Sequence, residues 1–257
     1  MAIIDTFCFY NEMELLDIRL NYLAPIVDKF VLVESTKTHS GLDKPLFFEE
    51  NKSLFKPFLN KITHIIVDNM PSVNDVSDRW VLENYQRNSI LTGLDHLQPA
   101  AKDYILISDV DEIPRRDLLE RQLFGVYVQR CFMYYLNVLS DENWTGTVGL
   151  EYDRIASHYG NPQKVRNHRS QMEPIRNGGW HFGWLGGYER VYQKIKAFAH
   201  TEIDQPNIMD NLKHSVENVI ALWCPNDGSM KPIPIDDTFP DYVIDNQDKF
   251  KRLIRVQ

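Results

Sequence analysis

The sequence predicts an α/β fold built on a mainly parallel β-sheet with helices on both faces. Segments that suit strands alternate with segments that suit helices through the first two-thirds of the 257 residues. The predicted strands are short and mainly apolar, which is typical of parallel strands that are buried on both faces. A chain of this length also suits a single domain with one sizeable core.

Four strands and two helices are predicted before Pro114. The strands are the apolar runs at residues 3–9, 30–33, 62–67 and 104–108. Asn11, followed three residues later by Glu14, resembles a capping box at the start of the first helix. The second helix is predicted over residues 79–94, and it should end near Pro99. Strands and helices therefore alternate as they do around a parallel sheet.

The chain changes character after Pro114. Residues 126–139 are rich in β-branched and aromatic side chains, which predicts longer strands that extend or cross the sheet. Residues 140–190 show weak periodicity and are predicted to be rich in loops, where sites are often found. A further helix should follow Gly186-Gly187, with Val191 and Ile195 on one face. Prolines at positions 206, 225, 232, 234 and 240 predict a loop-rich C-terminal third whose tail wraps the surface.

The composition is that of a soluble globular protein with an acidic balance. The chain contains 28 Lys and Arg against 36 Asp and Glu, a net charge of −8, and 43% of its residues are hydrophobic. These values exclude a largely disordered chain. They also argue against a protein that coats nucleic acid or an anionic membrane, so we expect no nucleic-acid partner.

Cysteine usage and the N-terminal sequence bear on location. Cys8, Cys131 and Cys224 lie far apart and form no CxxC pair, which argues against a disulfide framework or a zinc knuckle and favours a reducing compartment. The first residues contain no basic region ahead of an apolar run, and no window approaches the roughly 20 apolar residues that span a bilayer. We therefore expect no signal peptide, no membrane span and a cytoplasmic location.

Three carboxylates follow directly on the fourth predicted strand, in the sequence SDVDEIP from Ser108 to Pro114. In an open parallel sheet, ligands collect at the carboxyl ends of the strands. Carboxylates this close repel one another unless a cation or another partner offsets their charge. Oxygen ligands suit Mg²⁺ or Mn²⁺, so the segment predicts either a metal site or a solvated turn. In an extended chain, Asp109 and Asp111 would project to one side and Glu112 to the other.

A segment rich in glycine and aromatic residues spans residues 178–187. Its glycines allow a ligand to approach the backbone, and Trp180 and Trp184 offer flat faces to a sugar ring. His181 suits either a metal ligand or a hydrogen-bonded packing residue. Glu189 follows at the start of the next helix, where a carboxylate also complements the helix dipole.

Basic side chains are concentrated between residues 164 and 176. They are opposed there only by Glu173, and they are Lys164, Arg166, His168, Arg169 and Arg176. This local excess predicts a diphosphate site or a solvated loop. Arg87, in the helix before the acidic segment, is predicted to reach a phosphate, to pair with the carboxylates, or to form an exposed ion pair.

Three other phosphate or nucleotide chemistries fit poorly. Phosphatases of the haloacid-dehalogenase type carry DxDx[TV] on their first strand, whereas here Ile113 follows the acidic residues and the motif lies in mid-chain. No GxxxxGK[ST] phosphate loop occurs. The first strand ends in Phe9-Tyr10-Asn11, without the glycines of a dinucleotide site.

An ordered set of short motifs runs from residue 3 to about residue 202. It comprises Asp5-Thr6-Phe7, Asn11-Glu12, Val33-Glu34-Ser35, Gly41, Pro45-Leu46, Glu50-Asn51, Gln86-Arg87-Asn88, the segment from Ser108 to Pro114, Gly179-Trp180-His181-Phe182, Glu189 and Lys194. In this order the set resembles glycosyltransferase family 17, although no single piece of it is specific.

The resemblance implies a single domain of the GT-A type over residues 1–257. This domain would consist of a nucleotide-sugar-binding half (1–125), an acceptor-side half (126–205) and a C-terminal wrap (206–257). The resemblance further implies transfer of N-acetylglucosamine from UDP-N-acetylglucosamine to a glycan acceptor, with inversion to a β-glycoside. Mn²⁺ or Mg²⁺ would lie on the donor diphosphate, held by the DxD motif that Asp109-Val110-Asp111 matches.

The resemblance and the chemistry of sugar transfer together give expected roles for individual side chains. Asp111 is expected to be the main metal ligand, Asp109 to contact the metal or the ribose, and His181 to add a nitrogen ligand. Glu189 is the first candidate for the general base and Glu112 the second, while Asp141 and Glu142 stay open. The donor is expected to contact Phe7, Phe9, Glu34, Arg87, Asn88, Asp109 and Arg169. A protein that binds a nucleotide sugar or a glycan without transferring it remains the alternative.

Overall fold

The structure is a computed structural model that describes residues 1–76, 78–198, 203–222 and 230–256. Its strands are β1 (Ile3–Phe9), β2 (Lys29–Ser35), β3 (Ile62–Val67), β4 (Tyr104–Asp109), β5 (Glu112–Pro114), β6 (Gly125–Met133), β7 (Val138–Glu151), β8 (Pro174–Ile175), β9 (Gly179–Gly183) and β10 (Met230–Pro232). Its helices are α1 (Met13–Leu23), α2 (Phe47–Asn51), α3 (Trp80–Asn88), α4 (Ile90–Leu97), α5 (Arg116–Leu119), α6 (Tyr152–Arg154), α7 (Pro162–Asn167), α8 (Gly187–Ala197), α9 (Pro206–Met209), α10 (Leu212–Glu217), α11 (Asp241–Asp245) and α12 (Gln247–Phe250).

The strands of the described residues form one mixed sheet. Its main path runs β3-β2-β1-β4-β7-β6-β9-β5, with β10 beside β7 and β8 beside β6. The first four strands of this path are parallel to one another. β7 then runs antiparallel to both β4 and β6, and β5 runs antiparallel to β9. The prediction of a mainly parallel sheet is therefore correct for β1 to β4 and only partly correct beyond them, where β6 is parallel to β8 and β9. β6 and β7 are antiparallel because a connection as short as theirs cannot join parallel strands.

Helices cover both faces of the parallel strands, as their continuous apolar sequences predict. On one face, Phe7 of β1 and Leu16 of α1 belong to the same buried cluster. On the other face, Val31 of β2 packs with Leu94 of α4. Gly93 permits this approach, because a Cβ atom there would lie only 2.3 Å from Val31 Cγ1.

The predicted N-terminal elements are largely confirmed. The four strands lie where they were expected, and the helix predicted over residues 79–94 is found in two parts, α3 and α4. The capping box is wrong, because the residue that precedes α1 is Glu12 and no side chain caps the helix. Glu12 Oε2 instead accepts hydrogen bonds from the backbone N–H groups of Tyr10 and Asn11, at 3.2 and 3.1 Å. Glu14 pairs with Arg190 of α8.

The prediction of loops over residues 140–190 is only partly correct. β7 extends through the first part of this range, and β9 lies between β6 and β5 in the sheet. The strand pattern is weak because the middle of β7 is exposed and carries polar side chains. α8 begins after Gly186 as predicted, where Gly186 and Gly187 adopt φ values of 120° and 79° that suit glycine.

The C-terminal segment packs against the body of the sheet. β10 pairs with β7, and α11 and α12 contribute to the same buried cluster as β1 and α1. The side chains that this segment adds to that cluster are Phe239, Val243, Phe250 and Leu253. The short helices, rather than loops alone, therefore attach this part of the chain to the core.

Two further expectations concern cysteines and membrane spans. Cys8 is a free thiol and Cys131 is buried in β6, whereas Cys224 and Pro225 lie outside the described residues. Burial raises the pKa of the Cys8 thiol to about 12. In the part of the chain that the structure describes, no helix combines the length and apolar character needed to cross a bilayer.

Candidate active site

A cavity of about 360 Å³ opens where the parallel strands β1, β2 and β4 end. Phe9 and Tyr10 line it from the end of β1, Ser35 and His39 from the end of β2, and Asp111 from the loop after β4. Side chains of β6, β9 and α8 form the opposite side. Ligands of open α/β sheets bind at such strand ends, and the volume is within the range of small-molecule sites.

The buried arginine of α1, Arg19, forms hydrogen bonds with the acidic loop between β4 and β5. Arg19 of α1 is fully buried and donates two hydrogen bonds to the carboxylate of Asp5, at 2.8 and 2.6 Å. The same guanidinium donates to the backbone carbonyl oxygens of Asp109, Val110 and Glu112, at 3.1, 3.3 and 2.8 Å. Because all three carbonyl groups converge on one planar cation, the loop is fixed in a turn.

The turn sends the carboxylates in directions that the sequence did not predict. Asp109 and Glu112 face the same cation, because Arg166 Nη2 lies 3.1 Å from Asp109 Oδ2 and 2.7 Å from Glu112 Oε1. Arg87 Nη2 lies 2.8 Å from Asp109 Oδ1. We call Asp109, Glu112, Arg87 and Arg166 the arginine cluster. The expectation that Asp109 and Asp111 share one side is wrong, because the chain is not extended at Val110.

The arginine cluster favours the ionised forms of its members. Burial opposes ionisation of Asp109 and Glu112, but Arg87 and then Arg166 lower the pKa of Asp109, and Arg166 lowers the pKa of Glu112. Trp144 Nε1 also donates to Glu112 Oε1 at 2.7 Å. Both oxygens of Glu112 therefore have partners within the protein, which favours a structural role for this side chain.

Asp111 points away from the arginines. Lys194 Nζ lies 3.2 Å from Asp111 Oδ2 and 3.2 Å from Glu12 Oε1. His181 Nε2 lies 3.8 Å from Asp111 Oδ1. We call Glu12, Asp111, His181 and Lys194 the lysine cluster, and all four line the cavity. Two carboxylates share one ammonium group in this cluster.

The members of the lysine cluster are shifted in different directions. Burial raises the pKa of Asp111, and Lys194 offsets this only in part. Burial also lowers the pKa of His181, which favours the neutral imidazole. The pKa of Lys194 is raised despite burial, because the carboxylates of Asp111 and Glu12 stabilise the ammonium group. The cluster thus combines a surplus carboxylate with a neutral nitrogen at the cavity wall.

His181 serves both as a packing residue and as a cavity residue. Its ring stacks on Trp144, with 4.4 Å between the centroids and an interplanar angle of 16°. Its Nδ1 lies 3.6 Å from Cys131 Sγ in β6, while Nε2 faces Asp111. Stacking therefore fixes the ring with one nitrogen directed to the acidic loop.

The predicted donor-binding residues of β1 and β2 lie at different depths. Phe9 lines the cavity. Phe7 does not line it, and its ring centroid lies 4.5 Å from the guanidinium carbon of Arg19. Glu34 is fully buried and pairs with His64 at 3.1 Å and with Lys44 at 3.6 Å. Lys44 itself lines the cavity, so Glu34 acts on the site through that lysine.

Asn88, Arg169 and Glu189 lie outside the cavity lining. Asn88 Oδ1 accepts a hydrogen bond from a backbone N–H group of α7 at 3.0 Å. The Arg169 guanidinium lies 5.5 Å from the centroid of the Trp144 ring. Glu189 is exposed in the first turn of α8, whereas Glu142 of β7 lines the cavity. The roles predicted for Asn88, Arg169 and Glu189 stay predictions.

The basic side chains of residues 164–176 do not form one site in the structure. Arg166 turns inward to the arginine cluster, while Lys164, His168 and Arg176 are exposed. Arg87 pairs with the carboxylates, which is one of the alternatives predicted for it. The cationic side chains in the described lining of the cavity are Lys37, Lys44, Arg87 and Lys194.

The fit of a divalent cation depends on the lysine cluster. Within the described ranges, no group of three or more His, Cys, Asp or Glu side chains is arranged to hold a metal ion. Asp111 and His181 nevertheless fit such an ion as a pair, since Mg²⁺ and Mn²⁺ often take one or two protein ligands and add water and substrate phosphate. Asp109 fits less well, because each of its oxygens already accepts a hydrogen bond from an arginine.

Sequence reasoning gave no role to three residues of the site: Arg19, Glu12 and Lys194. Arg19 had a usable signal, because an arginine on the apolar face of a helix requires a buried partner, and Asp5 stands alone as a carboxylate in an apolar strand. Glu12 and Lys194 lie far apart in the chain, and only the fold brings them together.

The chain is similar in sequence to known glycosyltransferases. The chain is 24% identical over 286 aligned residues to the beta-1,4-mannosyl-glycoprotein 4-beta-N-acetylglucosaminyltransferases of Rattus norvegicus and Homo sapiens, and each alignment covers 95% of this chain and 53% of the relative. The chain thus spans about half the length of the curated relatives it matches. A solved structure, the inositol-1-phosphate CTP transferase from T. maritima, is similar over 86% of this chain and 97% of its own, with 10% identity and a TM-score of 0.34.

The family comparison covers nearly the whole chain. The sequence model of glycosyltransferase family 17 matches residues 1–255. This range includes every strand and helix described above, together with both clusters of the acidic loop. The protein therefore belongs to glycosyltransferase family 17.

Proposed function

We propose that this protein transfers N-acetylglucosamine from UDP-N-acetylglucosamine to a hydroxyl group of a glycan acceptor, with inversion to a β-glycoside and with Mn²⁺ or Mg²⁺ as cofactor. The lysine cluster carries the proposal, because it places a surplus carboxylate and a neutral imidazole at the ends of parallel strands. The donor and acceptor follow from the family and from the names of the relatives. The parallel order β3-β2-β1-β4 supports a GT-A type of sheet.

The strand ends suit the nucleotide. Phe9 and Tyr10 offer aromatic faces beside the end of β1, and Lys44 offers a cation that Glu34 holds in place. Asp109 retains a side chain that is 32% exposed at the cavity, from which it can contact the ribose. We therefore assign the uridine to this side and the sugar to the side of β7, β9 and α8.

Asp111 and His181 would hold the divalent cation together with the donor diphosphate. When bound, the cation neutralises negative charge on the leaving diphosphate. The chain supports this role with a rigid loop, because Arg19 fixes the turn that carries Asp111. Stacking on Trp144 fixes His181 in the same way.

The acceptor hydroxyl needs a general base. Its oxygen attacks the anomeric carbon, the bond from that carbon to the diphosphate oxygen breaks, and the hydroxyl proton passes to a carboxylate. Glu142 lines the cavity and Glu189 does not, so we propose Glu142 for this role.

Parallel Glu142→Gln and Glu189→Gln variants test the base. We expect Glu142→Gln to lower kcat by about 10²–10⁴-fold with donor binding retained, and Glu189→Gln to stay near the wild-type rate. A large loss in Glu189→Gln alone would return the role to the residue that the sequence favoured.

Thermal unfolding with UDP-, GDP- and CMP-sugars, each with Mn²⁺ or with EDTA, tests the donor. A ligand that binds only the folded state stabilises it by about 2.7 kcal/mol at 100 times its Kd. We expect a metal-dependent rise in Tm with UDP-N-acetylglucosamine. No rise with any UDP-sugar would contradict the proposal, and binding without turnover on any glycan would favour a binding protein.

A further inference from the structure

Lys194 lies between the two carboxylates of the lysine cluster. Its Nζ is equally distant, at 3.2 Å, from Asp111 Oδ2 and from Glu12 Oε1. It also lies 5.7 Å from the centroid of the Trp184 ring, which forms part of the cavity wall. A lysine carries a point charge on a flexible stem, so it can change partners more readily than a planar guanidinium.

The other cations of the cavity lining are engaged elsewhere. Lys37 pairs with Asp43 at 2.6 Å, and Lys44 pairs with Glu34 at 3.6 Å. Arg87 belongs to the arginine cluster. Among the described lining residues, Lys194 is therefore the cation in contact with Asp111, the carboxylate that suits a divalent ion.

We propose that Lys194 and the divalent cation compete for Asp111, and that the displaced ammonium group binds the donor diphosphate. The proposal rests on the proposed function, because it places the cation and the diphosphate in the same cavity. Two positive groups on one carboxylate repel each other, so a cation on Asp111 weakens the contact with Lys194. The ammonium group then remains beside Glu12, where phosphate oxygens provide charge-assisted hydrogen bonds. Cation binding thereby prepares the site for the donor.

A purely structural Lys194 predicts the opposite effect on the cation. If the ammonium group only tied α8 to the acidic loop, its removal would loosen Asp111 and weaken cation binding. Under competition, its removal takes away a repelling charge and leaves two carboxylates without their shared partner, so cation binding strengthens. The sign of the change in Mn²⁺ affinity separates the two roles.

The experiment titrates Mn²⁺ alone into wild-type and Lys194→Met protein, with free Mn²⁺ measured from its electron paramagnetic resonance signal. We expect the variant to bind Mn²⁺ about tenfold more tightly. UDP is then titrated at saturating Mn²⁺, and we expect the variant to bind it about tenfold more weakly. Unchanged or weaker Mn²⁺ binding overturns the competition, and unchanged UDP binding overturns the contact with the diphosphate.

Lys196→Met is the matched control, since it removes the same charge from the same helix. Lys196 pairs with Asp204 and lies outside the cavity lining, so both affinities should equal those of the wild type. Lys194→Arg keeps the charge, so it should not show the tighter Mn²⁺ binding expected of Lys194→Met. Thermal unfolding checks that each variant is folded, and Lys194→Gln takes the place of Lys194→Met if the latter is not.

Failure of the proposed function gives a different pattern. If every variant binds Mn²⁺ and none binds UDP, the nucleotide-sugar proposal fails, while the Mn²⁺ titrations still decide the competition. If neither wild-type protein nor Lys194→Met binds Mn²⁺, the competition itself is overturned.

Discussion

The arginine cluster and the lysine cluster both arise from the acidic loop after β4, yet their charges are balanced differently. In the first, Asp109 and Glu112 meet two guanidinium groups, and Arg166 Nη1 and Nη2 each lie 2.7 Å from an oxygen of Glu112. In the second, Asp111 and Glu12 share the ammonium group of one lysine. In the first cluster the two guanidinium groups balance the charges of Asp109 and Glu112, and the cluster stabilises the fold. The second keeps a surplus negative charge at the cavity and is suited to a positively charged ligand.

Removal of Arg166 should have the largest effect on stability. Arg166→Met leaves the buried carboxylate of Glu112 without its counter-ion. It also removes one of the two arginines that pair with Asp109. We expect the free energy of unfolding to fall by about 3–5 kcal/mol, because a single charge removed from a buried pair leaves the other uncompensated. Urea denaturation at neutral pH measures the change.

Arg115→Met is the matched control for Arg166→Met. Arg115 also forms a two-point ion pair with one carboxylate, that of Asp117, at 2.9 Å for both contacts. Its side chain is 43% exposed, so its removal should cost less than about 1 kcal/mol. Equal losses in the two variants would mean that burial does not distinguish the arginine cluster from a surface pair.

The sequence predicted the elements that depend on local patterns. Continuous apolar runs located β1 to β4, and the glycine pair located the start of α8. The second half of the sheet was predicted only in part: the strands expected over residues 126–139 are β6 and the start of β7, but the rest of β7 was missed. Its exposed polar residues interrupt the alternation that marks a strand. The apolar pattern alone gives the position of a strand. Whether the strand runs parallel or antiparallel to its neighbour depends on the length of the connection between them.

The candidate site was predicted in position but not in detail. Three carboxylates at a strand end located the cavity, and the need for a charge partner was correctly inferred. Their directions depend on Arg19, which reaches the loop from α1 through contacts distant in sequence. Glu12 and Lys194 show the same limit, since no local pattern joins the start of α1 to the middle of α8.

Asp109→Asn should have the next largest effect on stability. The change removes the negative charge that faces Arg87 and Arg166, although each arginine keeps a second carboxylate, Glu83 or Glu112. We expect the free energy of unfolding to fall by about 1–3 kcal/mol, the usual range for a lost hydrogen bond to a charged group. Urea denaturation under the conditions used for Arg166→Met measures it.

Asp111→Asn should have the smallest effect on stability of the three. Burial raises the pKa of Asp111, so the cost of burying its charge offsets part of what the contact with Lys194 contributes, and Lys194 keeps Glu12 as a partner. We expect the free energy of unfolding to change by less than about 1 kcal/mol. The same variant should lose Mn²⁺-dependent binding of UDP, which isothermal titration measures, because it removes the surplus charge. A loss of stability as large as that of Asp109→Asn, with UDP binding intact, would show that both clusters serve the fold and that the cation binds elsewhere.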